Sequence, residues 1–141
     1  MFQHWTFSHP GSDVEGRAAR YDADMRVCVT IPFESWQLLW TLRSINISNT
    51  GILTALDVIN PETAQRAMDL DTLLEAEPEV LIQIDTPTED LYAPSVTARL
   101  TRKIKKQWGL ELAFQFTEEN DHLANLVASL EAGAIPPRRS H

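Results

Sequence analysis

The stretch Trp36-Gln37-Leu38-Leu39-Trp40-Thr41-Leu42-Arg43-Ser44-Ile45-Asn46-Ile47-Ser48-Asn49-Thr50-Gly51-Ile52-Leu53 decides the architecture. Its first half alternates, with Trp36, Leu38, Trp40 and Leu42 in phase, which is the period of a half-buried strand. On that phase Trp36 and Trp40 are expected in the core. Past Ser44 the pair Ile45 and Ile47 falls out of phase, and alone the run would also suit a buried helix. The turn chemistry of Asn46, Ser48, Asn49, Thr50 and Gly51 favours a strand ending in a tight turn, with Gly51 expected at positive φ. Ile52 to Leu56 is then the returning strand.

Outward from this hairpin, the same period recurs. Val27, Val29 and Ile31 alternate with Arg26, Cys28 and Thr30, and Pro32 is expected to end that strand. Val80, Ile82 and Ile84, then Val96, Ala98 and Leu100, then Leu110, Leu112, Phe114 and Phe116 mark three more. The loop Thr86 to Tyr92 and the turn Lys105 to Gly109 connect them. Between strands, Asn60 and Pro61 start a short acidic helix over Glu62 to Glu77 that Pro78 stops. At the end, Leu123, Leu126, Val127 and Leu130 recur at helical spacing, with Thr117 as expected N-cap and Gly133 as the stop.

These elements predict a mainly β fold: a six-stranded antiparallel β-barrel with a C-terminal α-helix and a short acidic helical insertion, since closing the sheet removes exposed edges. Residues 1–24, which carry Pro10, Gly11 and Gly16 and no sustained period, are expected to form a flexible arm. Residues 25–132 are expected to be the barrel with its helix, and 133–141 a disordered tail.

Composition narrows the function. The 141 residues are 43% hydrophobic and 23% charged, enough for one domain with a core and no staple. A single cysteine, Cys28, leaves no disulfide and suits a reducing cytoplasm. No apolar run approaches a membrane span, and Met1 to Trp5 lack a signal-peptide layout, so membrane insertion and export are not expected. A net charge of −8 argues against DNA or RNA as a partner. It leaves room for a small nucleotide held by a few local arginines. Ten of the twenty acidic residues lie between Asp57 and Asp90, while Arg99, Arg102, Lys103, Lys105 and Lys106 crowd one stretch. Such runs are usually solvated faces; the sharper alternative is an acidic docking surface for a protein.

No catalytic or nucleotide-loop signature occurs, and His4, His9, His122 and His141 lack a second ligand at metal spacing, so neither an enzyme nor a metal or other cofactor is expected. Two features remain. Arg17 and Arg20, before the first strand, can each present a planar fork to phosphate oxygens or to the O6 and N7 edge of guanine. Asn46 and Ser48, at positions i and i+2, point the same way and can hydrogen-bond a base edge, though a hairpin turn explains them equally well. Trp36, Trp40 and Trp108 would serve as stacking platforms only in an oligonucleotide binder.

The order of these features over residues 15–131 resembles the PilZ domain family. Asn46, Ser48 and Gly51 match its Asp/Asn-x-Ser-x-x-Gly pattern, and Ile52 and Leu53 follow; Arg102, Phe114-Gln115-Phe116 and the terminal helix complete the order. The resemblance implies a receptor for cyclic di-GMP. In it an Arg-x-x-x-Arg motif on the arm clamps phosphates and guanine, and the turn contacts the other side of a guanine. Here Gly16 holds the first-arginine position and the motif reads Arg17-x-x-Arg20. Implied binding residues are Arg17, Arg20, Asn46, Ser48 and Gly51. The implied action is an adaptor that changes shape on binding and regulates an unidentified protein partner. The alternative is a degenerate relative acting only through protein contacts.

Overall fold

The computed structural model describes residues 21–22, 24–86 and 93–133. They form strands β1 (Tyr21–Asp22), β2 (Arg26–Phe33), β3 (Trp36–Ile47) and β4 (Gly51–Asp57), helix α1 (Pro61–Leu74), strands β5 (Glu79–Ile84), β6 (Ser95–Lys106) and β7 (Gly109–Phe116), and helix α2 (Asp121–Glu131). Pairing runs β3-β2-β5-β6-β7-β4, and β4 pairs with β3 again, so six antiparallel strands close on themselves. Closure pairs each of these strands on both sides over most of its length, leaving only short edges such as β2 beyond Thr30. The seventh strand, β1, adds to β3 beyond the end of β2, and belongs to the segment expected to be arm.

Inward residues are those the period-two pattern marks. Val27, Val29, Ile31, Val80, Ile82, Ile84, Leu112 and Phe114 are buried in one cluster. The off-phase Ile45 has a cause: the β3–β4 ladder carries a bulge between Ser44 and Asn46. One extra residue restores inward parity for Ile47, so Trp40, Leu42, Ser44 and Ile47 all face the interior side. Ser44 is buried without cost because its Oγ accepts from the Met25 N–H at 2.8 Å while its own N–H donates to the Met25 carbonyl. A second bulge lies between Leu100 and Arg102 of β6.

Three local expectations are corrected. Strand β2 runs through Pro32 to Phe33, because β5 pairs only as far as Thr30 and the edge beyond needs no proline N–H. Trp36 is 69% exposed, since it flanks the Phe33–Trp36 turn beyond the reach of the core, whereas Trp40 is buried. The N-cap of α2 is Asn120, whose side chain accepts from Leu123 N–H. Thr117 instead extends the sheet, its N–H donating to the Thr97 carbonyl and its hydroxyl donating to Glu79. Glu118 likewise accepts from Thr97 N–H and Oγ, which holds its carboxyl below the usual range.

Helix α1 starts as its sequence dictates, with Asn60 and Thr63 forming a reciprocal capping box and Pro61 in the first turn. It ends at Leu74 with Glu75 as C-cap, short of the expected Glu77, and in the turn that follows Glu77 takes φ 54° with its N–H donating to the Leu74 carbonyl. Gly133 ends α2 at φ 77°. The buried residues of both helices join the same core cluster. Helix α1 lies over the end where β7 begins, and α2 over the opposite end, beside β1 and the start of β6.

The acidic and basic stretches of the sequence meet in the fold. Asp71 of α1 pairs with Lys103 and, at 2.9 Å, with Lys105 of β6. Lys106 pairs with Glu111 at 3.0 Å. Arg66 stacks on the Trp40 ring, 4.5 Å from its centroid, and donates to the Leu39 carbonyl, while Trp40 Nε1 donates back to the Arg66 carbonyl at 2.9 Å. One residue of the acidic stretch, Asp71, thus clasps the helix to the sheet through two of the basic residues.

Candidate functional site

The turn after β3 is built around one hydroxyl. Ser48 Oγ accepts from the N–H groups of Thr50 and Gly51, each at 3.2 Å, and the Ser48 N–H donates to the Gly51 carbonyl at 2.9 Å. Ser48 is buried, so this hydroxyl is committed to the turn's backbone. The turn is also tied to β7, whose Phe116 N–H donates to the Thr50 carbonyl at 2.9 Å. Asn49 and Thr50 are left exposed at its tip.

Gly51 is required for a reason other than the expected one. Positive φ in the described residues is confined to Glu34, Glu77, Gly109 and Gly133, so Gly51 has no left-handed backbone to relieve. A Cβ there would meet the Phe114 carbonyl oxygen at 2.7 Å. Close approach of β4 to β7 is what excludes a side chain.

Asn46 faces the opposite way from the core. It pairs across β4 with Leu53, Leu53 pairs with Ala113 of β7, and Ala113 pairs with Arg102 of β6. Cross-strand partners share a face, and the neighbours Ile47, Ile52 and Phe114 point inward, so these four form an outward row. The row has a half-buried amide at one end, an exposed guanidinium at the other and an apolar middle. Three strand spacings make it about 14 Å long at the backbone. On the far side of Asn46, the β1 backbone pairs Asp22 with Asn46. Sequence reasoning finds Arg102 only as part of an order of features; the bulge before it breaks the count that would assign its face.

The neighbouring charges are neutralised. Arg43 grips Asp57 with two hydrogen bonds of 2.7 and 3.0 Å. That hydrogen bonding holds the Asp57 carboxyl below its usual range and raises Arg43. Arg17 and Arg20 lie outside the described residues, as does the loop over 87–92. Of the expected site residues, the structure therefore brings together Asn46, Ser48 and Gly51. Among the described residues no group of His, Cys, Asp and Glu is arranged to hold a metal ion. No described helix is long and apolar enough to cross a membrane. Cys28 sits half-buried on β2 opposite Thr41 and Gln83, with no base across the ladder to activate it.

No protein-family model matches the chain, and no curated protein matches it. Solved structures do. The inhibitor of motility MotI/DgrA of Bacillus subtilis superposes at a TM-score of 0.60 with 17% identity over 88% of this chain, which spans 53% of that one. The PilZ domain, with c-di-GMP, of YcgR from Escherichia coli superposes at 0.52 with 19% identity over 85% of this chain and 94% of that domain.

Proposed function

We propose that this chain, whose fold is that of a PilZ domain, is a receptor for cyclic di-GMP that works as an adaptor for another protein. The observation that carries the reading is the register of β1. Tyr21 pairs with Ile47 and Asp22 with Asn46, beside the Ser48–Gly51 turn. Arg20 directly precedes Tyr21 in the sequence, and that adjacency supports assigning this arginine to the corner. Arg17 is three further steps away, a distance its side chain offsets in part.

In this scheme Arg20 and Arg17 grip the phosphates and a guanine of the dianionic ligand by forked, charge-assisted hydrogen bonds. Asn46 offers both a carbonyl and an amide N–H to a base edge from the outward row. Ser48 and Gly51 act through shape: the serine holds the turn, and the missing side chain keeps the strand crossing tight. Fixing a loose segment costs about 1–2 kcal/mol per residue, which several charged hydrogen bonds offset over a short stretch. The product of binding is a remodelled surface, so output passes to a protein partner and not to a chemical step. A nucleotide messenger and one unpaired thiol both suit the cytoplasm. The degenerate alternative keeps the partner and drops the nucleotide, and the shortened Arg-x-x-Arg spacing favours it.

Calorimetric titration with cyclic di-GMP separates the two. The expected result is micromolar or tighter binding, weakened roughly a hundredfold in Arg20→Ala and roughly tenfold in Asn46→Ala. Absence of heat from the wild-type chain at high micromolar nucleotide, or undiminished binding in Arg20→Ala, overturns the receptor reading.

A further inference from the structure

The large apolar side chains left exposed among the described residues are Phe33, Trp36, Leu39, Ile59, Met68 and Trp108. None lies at the β1 end of the barrel. Phe33, Trp36 and Leu39 belong to the β2–β3 hairpin, Ile59 to the link into α1, Met68 to α1, and Trp108 to the β6–β7 turn. These are the elements around α1, at the end opposite the Asn46–Gly51 corner. Ile59, Met68 and Trp108 are 80%, 62% and 69% exposed, so folding alone leaves them wet. Ile59 and Trp108, with Pro61 and Ala64, line a cleft of about 700 Å³. Soluble monomers rarely cluster exposed aromatics and aliphatics without something to cover them.

The charges around this surface select what covers it. Four bases stand near it, Arg66 on the Trp40 ring and the Leu39 carbonyl, Lys103 and Lys105 sharing Asp71, and Lys106 on Glu111, against the six acids Glu34, Glu62, Asp69, Asp71, Glu75 and Glu111. The acids Glu34, Glu62 and Asp69 are exposed and form no ion pair among the described residues. An apolar surface with an acidic rim attracts the opposite charge and repels its own kind. We propose that the α1 end of the barrel is a docking surface for a partner protein that presents a basic amphipathic helix, apolar along one face and lined with Lys or Arg. A second copy of this chain, at a net charge of −8, brings acid against acid. An anionic lipid surface does the same. The inference stands apart from the nucleotide, which belongs to the opposite end.

The test uses the full chain without nucleotide and a labelled helical peptide of about four turns, made of Leu and Lys with one apolar face, beside its twin carrying Glu for Lys. Fluorescence anisotropy is expected to show saturable binding of the Lys peptide and roughly tenfold weaker binding of the Glu twin. The combined variant Ile59→Ser, Met68→Ser and Trp108→Ser, all exposed positions, is expected to keep its melting temperature and lose roughly tenfold in affinity. Equal affinity for both peptides, no binding of either, or unchanged affinity in the combined variant overturns the proposal. So does a dimer in sedimentation velocity that the combined variant abolishes, which would make a second copy the occupant.

Discussion

Helix α2 turns four of its eleven residues, Leu123, Leu126, Val127 and Leu130, into the core, whereas α1 buries three of fourteen, Ala67, Leu70 and Leu74. The shortfall in α1 is filled by polar work: the Asp71 pairs with Lys103 and Lys105, the Arg66 stack on Trp40, and the Trp40 hydrogen bond back to the helix. One helix is held by removal of apolar surface from water, a force with no direction and little dependence on pH. The other depends on oriented charge, which acid and salt both weaken. The α1 end should therefore be the adjustable one, and it is also the end that presents the exposed apolar surface.

The hydrophobic side of this contrast gives the largest expected effect. Leu126 is wholly buried, and Leu126→Ala should lower stability by about 3 kcal/mol in chemical denaturation, with the same loss at neutral and acid pH. A loss that varied with pH would erase the distinction between the helices. Next comes Asp71. Hydrogen bonds from Lys103, then the burial that opposes them, leave its folded-state carboxyl below the ordinary carboxylate range. Its contribution is thus complete above the ordinary range and disappears as pH falls through the lower folded value. Asp71→Asn should cost about 1 kcal/mol at neutral pH, and its difference from the wild type should close in acid. The smallest effect sharpens the picture from the backbone. Glu77, in the turn after α1, takes φ 54°, a conformation that burdens a residue with a Cβ, so Glu77→Gly should raise stability by about 0.5–1 kcal/mol without altering the acid response.

Much of the fold is legible locally. The alternation in β2, β5 and β7, the Asn60-Pro61 start of α1 and the stripe of α2 need only neighbours along the chain. What misleads is any feature settled by a distant strand. Thr117 looks like a cap until Thr97 and Glu79 claim it for the sheet. Gly51 looks like a left-handed turn residue until the Phe114 carbonyl shows what the glycine avoids. At the site, Asn46, Ser48 and Gly51 are visible as a motif, but the division between an outward amide and a serine committed to the backbone is not.

The chain's own pattern determined the inward phase of β2, β5 and β7, the start of α1, and that the strands outnumber the helices. Tertiary structure decided that the sheet closes, that β1 lies against Asn46, that bulges at Ile45 and Thr101 reset the facing of everything after them, and that acidic α1 answers basic β6. The reason is parity. A strand's period of two carries no memory across a bulge or a turn, so which side chains share a surface is settled only when hydrogen-bonded partners from far along the chain set the register.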